Sequence, residues 1–265
     1  MRKNKKKIIY SAIGVLAIAI LSIMIIYNSG KRTNRDKMSE EEPIDKEQLE
    51  IEFNDLFTNE ENQYVSTLYK IQEEKSGKYK IDAYIPRIHL DNKIDNEVNN
   101  EINSSFVNKI LQVYNDSKIY TILKINYATS IQDNRLSVII KCSLKEGSNA
   151  PAVPLASRSN AQRTIIKTYN YDIESKEKIK IVDLIQEQKK ADLQEEINQK
   201  IQLKLKKEAT LAEQGYNVYR RDVDSDIYKI ENANEFYIKD KILYIIYCYG
   251  NNSFTSEVDL IVTKI

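Results

Sequence analysis

The chain has 265 residues, with 40 Lys and Arg against 39 Asp and Glu and a formal net charge of +1. This near balance argues against the strongly basic surface that nucleic-acid binding requires, and two cysteines are too few for a disulfide scaffold. A Ser-His-Asp or Cys-His site would have to use the single histidine, His89, as its base. His89 lies at the end of a predicted strand near Pro86, which disfavours such a site.

The N-terminus carries the strongest pattern in the chain. Five cationic residues fall within the first seven positions, and the 20 residues that follow, Ile8 to Tyr27, are uncharged and mostly apolar. As a helix this run spans about 30 Å, the thickness of the hydrocarbon core of a bilayer. A secretory h-region is shorter, about 7 to 15 residues, and is followed by small residues at its cleavage site. Tyr27 or Asn28 would occupy that place here, so we predict an uncleaved anchor whose partner is the lipid bilayer.

The basic head, residues 1–7, favours a cytoplasmic N-terminus. A first helix with a short basic head usually inserts that way, and long downstream domains translocate whatever their charge. We therefore predict a single-pass protein of the cell membrane, anchored by residues 8–27, with an extracellular C-terminal domain. Taking the five head cations from the 40 leaves 35 Lys and Arg against 39 Asp and Glu, so the exported part again argues against nucleic acid as a partner.

Residues 28–63 are predicted to form a stalk and a short amphipathic helix. The first part is charged and poor in apolar residues, which is typical of a mobile stalk. A helix over residues 43–57 would carry four apolar side chains on one side: Leu49, Phe53, Leu56 and Phe57. This helix either packs on the folded domain or contacts the membrane surface.

Residues 64–147 are predicted to form a β-α-β-β unit. Residues 64–75 fit a strand or a helix, and we predict a strand. Residues 78–90 alternate clearly between apolar and polar side chains, and Pro86 restricts this strand to an edge of a sheet or to a strand end.

A long helix should follow the second of these segments. Asp91 is placed to cap its start, and its apolar positions recur every three or four residues, at Ile94, Val98, Ile102, Phe106, Ile110 and Val113. Two strands, residues 117–131 and 135–146, then flank a hairpin turn at residues 132–134.

Residues 148–265 are predicted to form a second unit, of β-α-β-β-β order. It begins after a loop over residues 147–160 that is rich in Ser, Ala and Pro, which marks a boundary or a binding loop. The predicted elements are a strand at 161–172, a helix that begins at Asp183 or a neighbour and runs to about Leu211, and strands at 235–238, 241–249 and 258–262. The fold class is therefore α+β, with an N-terminal transmembrane helix and two strand-helix-antiparallel-strand units.

Two patterns resemble known domains of bacterial envelope proteins. The first unit is similar to the PdaC-type domain in Tyr79, Ile81, Ile85 and Pro86 before the helix, Asn99 and Ile102 within it, and Leu136, Ser137 and Val138 after it. The second unit resembles the domain of unknown function shared with RsiV-type anti-sigma factors in Thr168, Tyr169, Asn170, Tyr171, Asp172, Lys178, Ile181, Asp183 and Leu184. The resemblance is to a clostridial subgroup in three short segments: Gln162-Arg163, Tyr249-Gly250-Asn251 and Thr255-Ser256-Glu257.

Two roles known in these families, deacetylation and the binding of a sigma factor, do not fit the residues of this chain. Deacetylase members carry a separate metal-dependent domain with histidine ligands, whereas this chain has only His89. Anti-sigma members hold their partner with a cytoplasmic domain, for which residues 1–7 are too short. The glycine- and histidine-rich turn of the wider family is replaced here by residues 147–160. The remaining role that the resemblance implies is that of a binding or sensing module outside the cytoplasm.

Candidate ligand-binding residues are polar ones that interrupt regular strands: Gln162, Arg163, Tyr249, Asn251 and Glu257. Arginine can grip a carboxylate through two hydrogen bonds, Asn and Glu can pair with amides or sugar hydroxyls, and Tyr offers a stacking face. A structural alternative stays open, in which Arg163 and Glu257 form an ion pair and Asn251 supports a turn.

No catalytic residue, metal site or cofactor is predicted. Asp222, Asp224 and Asp226 resemble the start of a calcium loop. The sixth and twelfth positions of that loop are Ile227 and Ala233, where calcium binding needs glycine and glutamate. With six glycines in all and no phosphate-cradling motif, the chain lends no support to nucleotide binding.

The two cysteines fall in predicted strands. Cys142 lies on an apolar face, where it is expected to be a small core residue. Cys248 ends another apolar strand. A disulfide between them stays an open alternative, which requires the two strands to be neighbours in an oxidising exterior.

The leading interpretation is a non-catalytic, membrane-anchored module that binds a cell-wall glycan or an envelope protein. The alternative is a hydrolase of envelope glycans that uses two carboxylates, a mechanism that needs no histidine. A third interpretation is a purely structural envelope protein. The three interpretations predict different results. A binding module binds wall material without forming product, a hydrolase turns it over, and a structural protein does neither.

Overall fold

The computed structural model describes residues 44–116, 119–147, 163–215, 221–249 and 258–265. By its internal contacts the chain divides into Met1–Ile44 and a compact unit, Asp45–Ile265. The predicted anchor at residues 8–27 and the first part of the stalk lie outside the described residues. Among the described helices, none is long and apolar enough to cross a membrane.

The compact unit is α+β. Its helices are α1 (Lys46–Glu52), α2 (Asn92–Ile102), α3 (Asn108–Asp116) and α4 (Glu187–Glu213). Its strands are β1 (Val65–Lys75), β2 (Tyr79–Ile88), β3 (Thr121–Gln132), β4 (Arg135–Glu146), β5 (Arg163–Asp172), β6 (Glu235–Lys239), β7 (Ile242–Cys248) and β8 (Val258–Lys264). The order of these elements follows the predicted one, and both of the first two segments are strands.

The larger sheet is mixed and has five strands in the order β1-β2-β3-β4-β5. Strands β2 and β3 are parallel, because helices α2 and α3 form the crossover that parallel neighbours require. The other pairs are antiparallel. The predicted hairpin between β3 and β4 is confirmed: Asp133 and Asn134 form a two-residue turn with φ of 49° and 62°, conformations that Asp and Asn tolerate well.

One face of the five-stranded sheet packs against α2 and α3 and forms the first core. Along β2, four alternating residues are buried, namely Tyr79, Ile81, Ala83 and Ile85, as the period of two predicts. At Pro86, β2 pairs with Thr67 of β1 and no longer with β3. Pro86 therefore lies where one side of β2 is an open edge, which agrees with the prediction of an edge or a strand end.

The predicted long helix is formed by α2 and α3, joined by a π-helical turn at Asn103–Val107. Asp91 caps it as predicted, accepting hydrogen bonds from Lys93 N (2.9 Å) and Ile94 N (3.0 Å). The apolar residues of this helix are mostly four positions apart, whereas one α-helical turn takes 3.6 residues. In a regular α-helix each apolar side chain would therefore be rotated by about 40° from the one before it. The wider π turn takes up the excess, so Phe106, Ile110 and Val113 stay in the core.

The smaller sheet has the antiparallel order β6-β7-β8 and forms the second core with α4. On α4 the core residues are Leu193, Ile197 and Ile201. The helix begins at Glu187, four residues after the predicted Asp183. Residues Ile181–Asp183 form a 3-10 turn instead, because the buried side chains of Ile181 and Ile185 hold this segment against the second core.

Strand β5 belongs to the five-stranded sheet, which differs from the predicted grouping of residues 163–172 with the second unit. It pairs with β4 along its whole length, from Arg163 opposite Leu144 to Asp172 opposite Arg135. The physical reason is that Ile165 and Tyr169 of β5 add apolar surface to the first core, while the backbone groups of β4 gain hydrogen-bond partners.

A buried polar bridge joins the second face of the five-stranded sheet to β6. Ser137 Oγ donates to Asn170 Oδ1 (2.6 Å), and Asn170 Nδ2 donates to the carbonyl of Phe236 (2.8 Å). Ile238 N donates to Ser137 Oγ (3.0 Å). Ser137 and Asn170 are 1% and 2% exposed, so these bonds satisfy groups that would be costly to bury alone.

The predicted amphipathic helix exists as α1 followed by a 3-10 turn at Phe53–Leu56. It packs on the folded unit, since the ring of Phe53 is 6% exposed and lies 5.8 Å from that of Tyr244. Lys46 pairs with Glu196 of α4 at 2.6 Å. Of the two open alternatives for this helix, the structure therefore shows packing on the domain.

Both cysteines are free thiols in the structure. Cys142 is fully buried in the first core, and Cys248 is half-buried at the end of β7. Burial raises the pKa of the Cys142 thiol well above its usual range and that of Cys248 to about 12. Both thiols are therefore protonated and unreactive near neutral pH.

Asn99 anchors α2 to the end of β2, and its removal tests the crossover. Its amide accepts from Ile88 N and donates to Ile88 O, both at 2.9 Å. We expect Asn99→Ala to lower the free energy of unfolding by about 2 kcal/mol, because two backbone groups lose their partner. Chemical denaturation measures this. Asn100→Ala, an exposed position on the same helix, is the matched control and should change stability by less than about 0.5 kcal/mol; equal losses in the two variants would contradict the anchoring role.

Candidate functional site

The predicted ligand-binding residues lie mostly outside what the structure describes. Gln162, Asn251 and Glu257 fall in undescribed segments. Arg163 is the first residue of β5, and only its backbone is described. Tyr249 alone has a described side chain, so the predicted cluster of five residues remains a prediction.

Tyr249 belongs to a buried polar network. Its hydroxyl donates to Asp259 Oδ2 (2.6 Å) and accepts from the hydroxyl of Tyr228 (2.9 Å). Arg221 binds the same carboxylate through Nε (2.6 Å) and Nη2 (3.1 Å), and its guanidinium lies 4.8 Å from the centre of the Tyr249 ring. Arg221 also pairs with Glu208 of α4.

This network is shielded from solvent. The side chains of Arg221 and Asp259 are 4% and 1% exposed, and Tyr249 is 4% exposed. Burial and the hydrogen bond to Asp259 raise the pKa of Tyr249 far above its usual range, so the phenol stays protonated and acts as a donor. Both its ring and its hydroxyl are engaged, and Tyr249 thus supports the end of β7 from inside.

Sequence reasoning missed Arg221, Asp259 and Glu208. One signal was present: Glu208 lies on the same face of α4 as Leu193, Ile197 and Ile201, where a charged residue indicates a buried partner. The partner itself could not be found, because Arg221 and Asp259 are 38 residues apart in the chain and meet only through the fold.

A second region has the geometry of a binding site. A cavity of about 530 Å³ lies on the second face of the five-stranded sheet, within the size range of small-molecule sites. Its floor is formed by Ile122, Lys124 and Asn126 of β3 and by Lys141, Ser143 and Lys145 of β4, and Asn54 and Phe57 complete the lining. We call this set the lysine pocket.

The register of β3 and β4 fixes the positions of the three lysines. Lys141 is opposite Asn126, Lys124 is opposite Ser143, and Lys145 is opposite Ile122. Because alternate residues of a strand share a face, all six side chains project from the same side of the sheet. The three lysines therefore form a staggered row along the two strands.

Lys141 is the most constrained of the three lysines. Its amine donates to Asn54 Oδ1 and lies 5.5 Å from the centre of the Phe57 ring. Burial lowers the pKa of Lys141 below its ordinary value of 10.5. A partly desolvated ammonium interacts more strongly with an anion than an exposed one does.

The pocket presents hydrogen-bond donors and positive charge. In the described part of the chain, none of the three lysines forms an ion pair with a carboxylate. The neighbour of Lys124 on β2 is Asp82, whose carboxylate accepts from Gln72 (3.1 Å). The oxygen of the Asn126 amide accepts from Asn59 (3.1 Å), which leaves its NH₂ group as a donor. This arrangement suits an anionic ligand.

Nothing in the local sequence pattern singles out these lysines. Polar residues alternating with apolar ones on a strand are the ordinary sign of a solvent-facing side, and Lys124, Lys141 and Lys145 fit that pattern. What distinguishes them is that they converge on one cavity, which results from the pairing of β3 with β4 and from the position of Asn54 and Phe57.

Among the described residues, no group of three or more His, Cys, Asp or Glu side chains could hold a metal ion. In the acidic segment after Arg221, Asp222 accepts from the backbone N–H of Asp224 (3.1 Å) and Asp226 pairs with Lys229 (2.6 Å). His89 is hydrogen-bonded through Nε2 to Ser66 (2.8 Å).

Comparison with solved structures finds chains that are similar to this one. No family model matches the chain, and no curated protein matches it. The chain is similar to a crystal structure of a member of the DUF3298 family from Bacteroides fragilis, with 12% sequence identity and a TM-score of 0.32. The match covers 71% of this chain and 80% of that chain.

The network around Tyr249 predicts a specific loss of stability. Tyr249→Phe removes a hydrogen bond to a buried carboxylate, so we expect the free energy of unfolding to fall by about 2 kcal/mol. The matched control is Tyr247→Phe, on β7, whose buried hydroxyl has no hydrogen-bond partner in the described structure. That variant should change stability by less than about 0.5 kcal/mol. Denaturant unfolding of both variants gives the comparison, and a neutral Tyr249→Phe would contradict the supporting role of the network.

Proposed function

We propose that this protein is a non-catalytic binding module of the bacterial cell envelope that holds an anionic ligand in the lysine pocket. The observation that carries the proposal is the convergence of Lys124, Lys141 and Lys145 on one cavity without a carboxylate partner among the described residues. Three ammonium groups that line one cavity attract an anion more strongly than a single one does.

The location is proposed from the sequence. Residues 8–27 would span the cell membrane once, with residues 1–7 in the cytoplasm and the folded domain outside. A domain held there meets the anionic groups of the cell wall before those of the cell interior. The pocket chemistry and the anchor are therefore consistent with a module that binds or senses a wall component.

We also propose the finer family assignment, a PdaC-type domain followed by the domain shared with RsiV-type anti-sigma factors. Its support is the residue pattern from Tyr79 to Val138 and from Thr168 to Leu184. Both domain types occur in envelope proteins, which supports an extracytoplasmic role. Strand β5, which carries part of the second pattern, completes the five-stranded sheet of the first.

The proposal is tested by binding to cell-wall sacculi. The full chain, purified in non-ionic detergent, should be retained by sacculi that keep their anionic polymers, and retention should weaken as salt is added. The triple variant Lys124→Gln, Lys141→Gln, Lys145→Gln should lose at least tenfold in affinity. The control variant Lys93→Gln, Lys189→Gln, Lys207→Gln removes the same charge at exposed positions and should bind as the wild type does.

The other outcomes of this assay are equally informative. Equal retention of the two triple variants would contradict binding in the lysine pocket. Release of soluble wall fragments by the wild type would favour the alternative of a carboxylate-dependent glycan hydrolase. No retention and no product would favour a structural protein.

The pH dependence of binding tests the role of Lys141 separately. An anion is held by the protonated amine, and burial places the pKa of Lys141 below 10.5. The ratio of the wild-type affinity to that of Lys141→Gln should therefore be largest near pH 7. It should fall as the pH rises, at a lower pH than the one at which an exposed lysine loses its proton. Affinities of both proteins measured from about pH 7 to 10 check this. A ratio that stays constant over this range would contradict the assignment.

A further inference from the structure

The spacing of the three lysines carries information about the shape of the ligand. Lys141 and Lys145 are four residues apart on β4, so their Cα atoms are separated by roughly 13 Å. Lys124 lies opposite Ser143, halfway between them on the neighbouring strand. Diagonal neighbours on paired strands are about 7 to 8 Å apart. Successive lysine Cα atoms along the row are thus about 7 to 8 Å apart.

An extended chain with regularly repeated charges can place one charge at each lysine of the row, whereas a compact anion would require three side chains that start up to roughly 13 Å apart to meet at one point. The cavity extends along the strands over the same length, because its floor includes every second residue from Ile122 to Asn126 and from Lys141 to Lys145. The geometry of the floor therefore fits a linear polyanion better than a single charged group.

The donor types are compatible with phosphate. Arginine, whose planar group binds carboxylate and phosphate alike through two hydrogen bonds, is absent from the described cavity lining. Lysine binds as a point charge and is a common phosphate ligand. The hydroxyl of Ser143 and the NH₂ groups of Asn54 and Asn126, whose amide oxygens accept from Lys141 and Asn59, add neutral donors.

The repeat length indicates what joins the phosphates. Two phosphorus atoms linked through a three-carbon polyol are separated by six single bonds, which span about 7 Å when extended, as two residues of extended polypeptide do. This matches the spacing of the lysines. Ile122 and Phe57 offer apolar contact to the carbon atoms between the charges.

We propose that the lysine pocket binds a polyol phosphate polymer, with three successive phosphodiesters placed at Lys141, Lys124 and Lys145. This inference rests on the proposed function, since it specifies the anionic ligand of the same site. The polymer lies along β3 and β4, and the number of phosphates that it engages is set by the number of lysines in the row.

A length series of glycerol phosphate oligomers tests the inference. The full chain in detergent is titrated calorimetrically with oligomers of one, two, three and six phosphates. Affinity should rise about fivefold with each added phosphate up to three, the upper range for a partly exposed ion pair, and then level off. In Lys145→Gln, which shortens the row at one end, the rise should stop at two phosphates. Lys189→Gln, at an exposed position on α4, should behave as the wild type does.

Two further probes separate the sources of failure. A polyglutamate of equal charge should bind at least tenfold more weakly than the oligomer of six phosphates. If glycerol 3-phosphate or polyglutamate binds as tightly as that oligomer, the polymer inference is overturned while the anionic pocket stands. If no anionic probe binds and the lysine variants equal the wild type, the proposed function fails as well. Because Lys124 is exposed, Lys124→Gln repeats the test without disturbing a buried group.

Discussion

The hydrogen bonds of Ser137 and Asn170 decide how the second face of the five-stranded sheet is used. These two side chains, paired across β4 and β5, bind β6 through Phe236 and Ile238. They therefore fix where the smaller sheet covers the larger one. Further along β4 on the same face, the residues are Lys141, Ser143 and Lys145, and this part of the sheet holds the cavity. The same alternation of side chains thus produces a buried interface at one end of the strands and a cationic floor at the other.

The segment after α1 contributes to this arrangement. Phe53 is buried against Tyr244, and Asn54 and Phe57 contact Lys141. In the sequence this segment belongs to residues 28–63, predicted as the stalk and a short helix that follow the membrane anchor. Part of the pocket wall is therefore formed by the portion of the folded unit that is nearest in sequence to the proposed anchor.

Local rules predicted most of the fold, whereas the candidate site depended on tertiary contacts. Alternation identified the strands, and Asp91 marked the start of α2, because such signals depend on neighbouring residues alone. The sheet to which β5 belongs was not predictable in this way, and α4 was placed four residues too early because burial of Ile181 and Ile185 outweighs the capping preference of Asp183. Lysines on the solvent side of a strand likewise look ordinary until the register brings three of them to one cavity.

The most direct test of anion binding in the lysine pocket is to observe the three lysines while ligand is added. In the full chain with isotope-labelled lysine, NMR signals are assigned by single Lys→Gln variants and followed during titration with a glycerol phosphate trimer. We expect saturable shifts of the Lys124, Lys141 and Lys145 signals with a common affinity, while those of Lys93 and Lys189 stay unchanged. Shifts spread evenly over exposed lysines, or no shift in the pocket at saturating ligand, would contradict binding at this site.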